Sequence, residues 1–311
     1  MTPSVSIVVP SRGGVERLPR LLESLRAQTC QDFELIVVVD GDIDGTESYL
    51  KTQSTLRVQT IVFPQNRGRA GALNAGFSQA TGQILTRCDD DLELPTHYIA
   101  DQITWHKGTV GGAIGLCRNV YPPTAYSRAY GVPMDHLGRA AAYSAPAQET
   151  WRHWGANVSV PRKLFDEVGP YDVDYRGYGW EDADWGWRLH ALGYPIEIRP
   201  ELEALHYVAS TTTAVRARRA LYSGAARHTF TTKHGDTMLA GLASAPTGVW
   251  NRTVHLVAAR LNEHRAQTAS AIIDRVLPVM PAPVGRKLVA LMVEASNIAG
   301  YRRPSSVGTA I

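Results

Sequence analysis

The sequence predicts an α/β fold in which a mostly parallel central sheet is flanked by helices. Short runs of strand-forming residues alternate with helical periodicity over residues 4–91, and a polar or acidic residue follows each run. Ligands of doubly wound sheets collect at such strand ends. No Gly-x-Gly-x-x-Gly follows the first run and no Gly-Lys-Ser or Gly-Lys-Thr occurs, which argues against a dehydrogenase and a P-loop nucleotidase.

Four predicted strands, with a predicted helix after each of the first three, account for the first part of the chain. The first strand stops at Pro10, and the fourth runs directly into Asp89, after which Pro95 prevents its continuation. The strands are predicted at 4–9, 33–39, 58–63 and 83–88, and the helices at 15–28, 46–52 and 70–80. Pro10, Asp40, Asn66 and Asp89 therefore stand at the ends of predicted strands.

The second part of the chain is less regular. Helices are predicted at 94–107, 161–168 and 181–192, and strands at 111–116, 154–160 and 196–198. Residues 118–149 have little periodicity, and a segment of that length inside a domain is typically a lid or a binding surface. Helical periodicity returns at 215–230, 249–265 and 284–298.

Composition places this 311-residue chain, 44% apolar and 20% charged, among ordinary globular proteins. No run of about 18 apolar residues predicts a membrane span. The first ten residues lack a basic region before an apolar one, so no secretory signal is expected. Cys30, Cys88 and Cys117 are too few and too dispersed for a disulfide framework or a zinc site. A cytoplasmic location is the expectation.

Charge is distributed unevenly along the chain. Residues 1–210 contain 19 Lys and Arg against 25 Asp and Glu, whereas residues 211–311 contain 13 against 4. A basic extension of this kind can face a polyanion, an anionic membrane surface or the acidic part of the protein, or form a homodimer. The cations of this extension are spread over several helices and form no recognisable nucleic-acid-binding motif, so nucleic acid is not an expected partner.

Three consecutive carboxylates, Asp89, Asp90 and Asp91, follow the fourth predicted strand. Like charges this close repel one another in a partly buried site, so a cation among them would stabilise the cluster. Carboxylate oxygens suit Mg²⁺ or Mn²⁺, which commonly bind phosphates too. A solvated turn with an acidic helix cap is the alternative, and this stretch alone does not decide between them.

Polar residues after the neighbouring strands favour a nucleotide ligand. Asp40 can accept an N–H from a nucleobase edge, although it can also form an ordinary turn. Arg12 and Arg67 can meet a phosphate or remain solvated. Together with a metal held across a diphosphate, these side chains fit a nucleoside diphosphate better than a dinucleotide.

Several motifs, in the right order, resemble the nucleotide-sugar half of family 2 glycosyltransferases of the GT-A fold. They are Ser6-Ile7-Val8-Val9-Pro10-Ser11, Ile36-Val37-Val38-Val39-Asp40-Gly41-Asp42, Asn66-Arg67-Gly68-Arg69-Ala70-Gly71-Ala72-Leu73-Asn74-Ala75-Gly76 and Asp89-Asp90-Asp91. Residues 155–160 are similar to the family's acceptor-side segment, Glu181-Asp182 to its late acidic pair, and His206 to its late metal-facing histidine. The resemblance covers residues 4–213.

The resemblance implies a glycosyltransferase domain over residues 1–213, with 1–91 as the nucleotide-sugar half and 92–213 as the acceptor half. A basic helical extension over 214–311 follows. The implied reaction is a metal-dependent, inverting transfer of a hexose-type sugar from a nucleoside diphosphate. UDP is the usual carrier in the family, and dTDP and GDP are the alternatives.

Individual roles also follow from the resemblance. Asp182 would be the general base that takes the acceptor's proton, and Asp91 and His206 would bind Mg²⁺ or Mn²⁺. Because an alcohol is a weak nucleophile, a positioned carboxylate is needed on chemical grounds as well. The implied substrate contacts are Pro10, Ser11, Arg12, Asp40, Asn66, Arg67, Asp89, Asp90, Trp180 and Glu181.

Structural roles are the alternative for several of these residues. Asp182 opens a predicted helix, where the helix dipole favours a carboxylate. Trp154, Trp180 and Trp185 can stack on a sugar or fill the core, and His206 can be an ordinary structural histidine. Ser11-Arg12-Gly13-Gly14 also departs from the polar-aromatic-Asn-Arg sequence that the family often carries there.

Two other functions fit parts of the pattern. A sugar-phosphate nucleotidyltransferase would use Arg12-Gly13-Gly14 as a glycine-rich loop and would release pyrophosphate from a nucleoside triphosphate. A non-catalytic nucleotide-sugar-binding protein would bind without turnover and would tolerate Asp182→Asn. The acceptor has no sequence pattern of its own.

Overall fold

The computed structural model describes residues 2–207, 210–235 and 248–307. Contacts divide the chain into two compact units. The first consists of Met1–Val120, Gly138–Asp174 and Glu181–Val208, and the second of Tyr121–Leu137, Tyr175–Trp180 and Ala209–Ile311.

This division does not follow the predicted domains at every point. Residues 121–137 and 175–180, which the predicted acceptor half includes, are grouped with the second unit. The predicted extension over 214–311 also includes residues 236–247 and 308–311, which lie outside the described residues. The predicted domain boundary stays a prediction.

Ten strands lie in the described residues: β1 (Val5–Ser11), β2 (Phe33–Asp40), β3 (Val58–Phe63), β4 (Ile84–Cys88), β5 (Leu92–Glu93), β6 (Gly112–Ile114), β7 (Cys117–Asn119), β8 (Asn157–Pro161), β9 (Ile196–Ile198) and β10 (Ala204–His206). Seven form one sheet in the order β3-β2-β1-β4-β8-β6-β9. Only β8 is antiparallel to its neighbours in this sheet. The predicted mostly parallel sheet is confirmed.

Eleven α-helices lie in the described residues: α1 (Leu18–Arg26), α2 (Thr46–Lys51), α3 (Arg69–Gln79), α4 (Tyr98–Gly108), α5 (Val132–Tyr143), α6 (Arg162–Val168), α7 (Glu181–Ala191), α8 (Thr213–His234), α9 (Gly248–Arg260), α10 (Glu263–Val276) and α11 (Ala282–Arg302). None of them combines the length and the apolar composition that crossing a membrane would need.

The core of the first unit is built from β1, β2 and the helix between them. Both strands are almost entirely buried, which explains their continuous apolar runs. α1 carries Pro19 in its first turn, where an amide donor is not needed. Its leucines share one core cluster with both strands. Each fully buried leucine contributes roughly 2 kcal/mol to stability.

A three-stranded sheet in the order β5-β10-β7 follows the acidic cluster. His206 of β10 pairs with Leu92 of β5 on one side and with Asn119 of β7 on the other. Because Leu92 directly follows Asp91, this small sheet brings residues from three distant parts of the chain to one place.

Two segments differ from the sequence prediction. Residues 118–149 were expected to lack regular structure, but they include α5, which buries only Ala142 and so has little apolar periodicity. The predicted helix over 249–265 is interrupted between α9 and α10. Asn262 caps α10, since its Oδ1 accepts the Arg265 N–H at 2.8 Å.

Candidate active site

The carboxyl ends of β1, β2 and β4 meet at one edge of the main sheet. Ser11 at the end of β1 pairs with Val39, the neighbour of Asp40, and Val8 pairs with Arg87 of β4. Since the three strands are parallel, Ser11, Asp40 and Asp89 come to the same edge. This edge is where the sequence placed the nucleotide-binding residues.

Asp40 holds the loop that precedes α3. Its two carboxylate oxygens accept the backbone N–H groups of Arg67, at 2.6 Å, and Gly68, at 2.9 Å. Asn66 Oδ1 accepts the Gly68 N–H as well, at 2.7 Å. The aspartate therefore fixes the shape of the loop, and its predicted contact with a nucleobase stays a prediction.

Asp90 is buried and bound by residues that follow β1. Ser11 Oγ donates to it at 2.6 Å, and Arg17 donates through Nε at 2.8 Å and Nη2 at 2.7 Å. Burial raises the pKa of Asp90, although Arg17 and Ser11 act in the opposite direction. A Cβ on Gly14 would overlap Ser11 Oγ, which explains the glycine in this departure from the family pattern. Asp90 therefore anchors this loop to the end of β4.

Asp91 and His206 lie side by side, as the resemblance implied. His206 Nε2 is 3.0 Å from Asp91 Oδ2, and His206 Nδ1 is 2.6 Å from Asn119 Oδ1. With the amide oxygen facing Nδ1, that ring nitrogen carries the hydrogen and donates. Nε2 then presents its lone pair to a carboxylate oxygen, unless the ring is protonated or a cation lies there.

A second observation also favours a divalent cation beside Asp91 and His206. Asp91 Oδ1 is buried without a hydrogen-bond partner in the described residues. A buried carboxylate oxygen without a partner is costly, and a metal ion would satisfy it. No group of three or more His, Cys, Asp and Glu side chains suited to a metal occurs within 2–207, 210–235 and 248–307.

Arg87, which the sequence analysis did not assign, joins Asp89 to Asp182. Its guanidinium donates to Asp89 Oδ1 at 3.0 Å through Nη2 and contacts Asp182 Oδ1 through Nη1. Burial would raise the pKa of Asp89, but Arg87 and Arg69 outweigh it and hold that pKa below its ordinary value. The proposed general base therefore lies beside the acidic cluster.

Glu181, next to Asp182, is tied to α3. Its side chain is 1% exposed, and its Oε1 accepts from Arg69 Nη1 at 3.0 Å. Its Oε2 is buried without a hydrogen-bond partner in the described residues. Arg69 thereby joins the start of α3 to the start of α7.

Trp180, a predicted substrate contact, belongs to the second unit. Its indole N–H donates to Ser223 Oγ at 3.2 Å, and its ring lies 5.0 Å from that of Phe230. Its φ of +72° costs a non-glycine residue of order 1–3 kcal/mol. Such a conformation persists only where packing of this kind holds the residue.

The other tryptophans that could have stacked on a sugar are core residues. Trp154 and Trp185 are buried and stack on each other at 5.0 Å. Among the remaining predicted contacts, Pro10 lies within β1 and Arg12 is exposed, with its carbonyl accepting from Arg17 Nη2 at 2.9 Å. The exposed Arg67 places its guanidinium 4.4 Å from the centre of the Phe63 ring.

Comparison with known protein families shows which family this chain belongs to. The profile of glycosyl transferase family 2 matches residues 6–169. The chain belongs to glycosyl transferase family 2. A profile described as the N-terminal domain of galactosyltransferase also matches this family 2 chain, over residues 135–211. The predicted family is confirmed, and the predicted glycosyltransferase class agrees with it.

Named relatives of this family 2 chain act on different sugars. Validoxylamine A glucosyltransferase of Streptomyces hygroscopicus subsp. jinggangensis is 29% identical over 237 residues, 66% of this chain and 56% of that protein. Undecaprenyl-phosphate 4-deoxy-4-formamido-L-arabinose transferase of Proteus mirabilis is 35% identical over 102 residues, 30% of this chain and 31% of that protein. The chain thus spans little more than half the length of the first relative.

Solved structures share the fold of this family 2 chain. Mannosyltransferase PcManGT from Pyrobaculum calidifontis, in complex with GDP-Man and Mn²⁺, has a TM-score of 0.65 and 19% identity, covering 97% of this chain and 88% of that one. S. aureus TarS 1–349 in complex with UDP-GlcNAc has a TM-score of 0.54 and 13% identity, covering 98% and 93%. The predicted GT-A fold is confirmed.

Proposed function

We propose that this chain transfers a sugar from a nucleoside diphosphate sugar to an acceptor nucleophile, such as a hydroxyl, with inversion at the anomeric carbon. The observation that carries the proposal is that Asp182 and Asp89 share the guanidinium of Arg87. The candidate base is thereby next to the cluster that the family resemblance assigns to the donor. A base on the far side of the molecule would not support this reaction.

In the proposed reaction Asp182 acts on the acceptor. Its Oδ1 contacts Arg87, which leaves Oδ2 outside this ion pair. Oδ2 is thus available to take the proton as the acceptor oxygen attacks the anomeric carbon. The bond from that carbon to the diphosphate breaks on the opposite face, which inverts the centre.

The proposed donor side is the edge formed by β1, β2 and β4. Asp40 holds the loop at residues 66–68, and Pro10, Ser11, Arg12, Asn66, Arg67 and Asp89 stand at the same strand ends. UDP is the favoured nucleotide on the resemblance. The names GDP-Man and UDP-GlcNAc in the two structural neighbours support the donor class and keep GDP as an alternative.

We also propose that Asp91 and His206 hold Mg²⁺ or Mn²⁺. The unpartnered Asp91 Oδ1 and the position of His206 Nε2 support this proposal, as does the Mn²⁺ named with the Pyrobaculum mannosyltransferase. When bound, such a cation offsets the negative charge that develops on the leaving diphosphate.

The proposed location is cytoplasmic, with peripheral contact at the inner face of the membrane or a homodimer through the C-terminal helices. The turn between α10 and α11 supports such a contact. Val279 is 86% and Val284 is 49% exposed, and the cations Arg275 and Lys287 flank them. Exposed apolar side chains beside cations suit an anionic bilayer surface or a second protein surface.

A thermal-shift panel tests the proposed donor and metal. UDP-, dTDP- and GDP-sugars are each added with and without Mn²⁺, because a ligand that binds the folded state raises Tm according to its affinity. We expect a UDP-sugar to raise Tm, and the rise to be larger with Mn²⁺. No shift with any of these sugars, in either condition, would remove the nucleotide-sugar proposal.

A further inference from the structure

Arg87 is a fully buried cation at the end of a central strand. Its side chain is 1% exposed, and its two carboxylate neighbours keep a little exposure, 19% for Asp89 and 14% for Asp182. Burying an unpaired guanidinium would cost several kcal/mol, so both ion pairs are needed to hold it there. One partner, Asp89, directly follows the strand that carries Arg87, and the other comes from α7, almost a hundred positions later in the chain.

Packed aromatic side chains lie beside Arg87. The space beside it measures about 10 Å³, the lower limit for one water molecule. The rings that line this space are those of Phe77, Trp154, Phe165, Tyr171 and Trp185. A guanidinium that packs beside these rings and pairs with two carboxylates has a restricted position, so the carboxylates that contact it are held in turn.

We propose that Arg87 is a positioning residue that sets the orientation of Asp182 relative to the donor motif. This inference rests on the proposed function, in which Asp182 is the base. Arg87 contacts Oδ1 of Asp89 and Oδ1 of Asp182, and leaves the second oxygen of each carboxylate outside these ion pairs. The two remaining oxygens are then held at a fixed separation, one for the donor side and one for the acceptor.

A second ion pair supports the same arrangement. Arg69 at the start of α3 holds Glu181, the residue before Asp182, at 3.0 Å. The first turn of α7 is thus attached at two successive residues, to α3 through Glu181 and to β4 through Asp182. A planar guanidinium can hold two carboxylates at defined angles, whereas a lysine ammonium presents a single point charge.

The first test compares Arg87→Met with Arg87→Lys. A displacement of about 1 Å at a reacting group can cost about 10²-fold in rate, so we expect Arg87→Met to lower kcat by about that factor. We expect Arg87→Lys to recover about tenfold of this loss, and the donor KM to change far less than kcat in both variants. A loss confined to the donor KM, with kcat retained, would overturn the positioning role.

Arg188→Met is the matched control. Arg188 also pairs with an aspartate of α7, Asp184 at 2.9 Å, and binds the Val168 carbonyl at 2.8 Å. Its loss should lower Tm as removal of a partly buried ion pair does, with kcat within about threefold of the wild type. If Arg188→Met loses as much kcat as Arg87→Met does, the effect of Arg87 is due to the stability of α7, which contradicts the proposal.

The second test is a double-mutant cycle with Asp182→Asn. If Arg87 acts through Asp182, the double variant should be about as slow as Asp182→Asn alone. If the loss of kcat in the double variant is instead the product of the two single losses, Arg87 does not act through Asp182, and the assignment of Asp182 as the base stands. Wild-type turnover in Asp182→Asn would instead show that the proposed base is wrong, and the positioning role would fall with it. Where Arg87→Met does not fold, Arg87→Lys completes the cycle.

Discussion

The three consecutive aspartates illustrate how different neighbouring side chains can be. Asp89 pairs with Arg87, Asp90 is buried against Ser11 and Arg17, and Asp91 lies beside His206 with one oxygen unpartnered. The sequence presents them as one acidic cluster. Their partners arrive from β1, β4 and β10, so their separate roles follow only from how these strands meet.

The roles proposed for Asp182 and Asp91 can be separated at this scale. Asp182→Asn should lower turnover by about 10² or more, because a general base is lost, while nucleotide-sugar affinity barely changes. Asp91→Ala should instead weaken donor binding in the presence of Mn²⁺. Turnover and donor titrations with and without Mn²⁺ measure both effects. The same loss of donor affinity in the two variants would contradict this division.

At the scale of whole elements, glycines let two helices of the second unit come unusually close. A Cβ on Gly224 of α8 would overlap the Asn297 carbonyl oxygen, and one on Gly300 of α11 would overlap that of Leu221. Backbone lies against backbone here, so neither position has a flexible side chain that could move aside. The sequence shows the glycines but not that they face each other.

The close approach of α8 and α11 predicts opposite effects for two glycine substitutions. Gly224→Ala should lower the free energy of unfolding by about 1–3 kcal/mol, because the added methyl group forces the helices apart. Gly138→Ala is the control: this exposed glycine of α5 has nothing within 4 Å of a built Cβ, so alanine should raise stability by up to about 1 kcal/mol. Urea unfolding measures both. Equal stability of the Gly224 variant and the wild type would refute the close contact.

At the scale of the whole molecule, charge separates the two ends of the chain. The excess of Lys and Arg lies after residue 210, and the excess of Asp and Glu before it. The acidic end carries the candidate active site. The basic end consists, where the structure describes it, mainly of α8 to α11 and has exposed valines at the turn between α10 and α11.

The proposed membrane contact can be tested with lipid vesicles. We expect the chain to bind vesicles that contain an anionic lipid, and Val279→Asp to bind about tenfold more weakly, because a carboxylate opposes both insertion and charge attraction. Val110→Asp, at a 64% exposed valine of the first unit, is the matched control and should bind as the wild type does. Sedimentation of vesicles and size-exclusion chromatography of the chain alone distinguish the two proposals. If the chain does not bind vesicles but forms a dimer that Val279→Asp disrupts, the homodimer replaces the membrane contact.

The sequence by itself determined the fold class, the family and the edge of the sheet where the polar residues gather. Strand and helix periodicity are local properties, and a parallel sheet brings every strand end to the same edge. Asp91 and His206, which the resemblance assigns to one metal, lie beside each other in the structure, and their role as ligands stays a prediction. By contrast, α5 escaped notice because a helix with one buried residue leaves no apolar stripe to read.

Only the tertiary structure decided which charges meet. Arg87 looks like any arginine in a strand, and Arg17 and Arg69 look like surface residues of helices, yet each pairs with a carboxylate at least partly shielded from water. Ion pairing depends on distance in space, and the partners of Arg17, Arg69 and Arg87 include residues dozens to a hundred positions away. A sequence shows which charges exist, whereas the folded chain determines which of them are buried and which opposite charge neutralises each one.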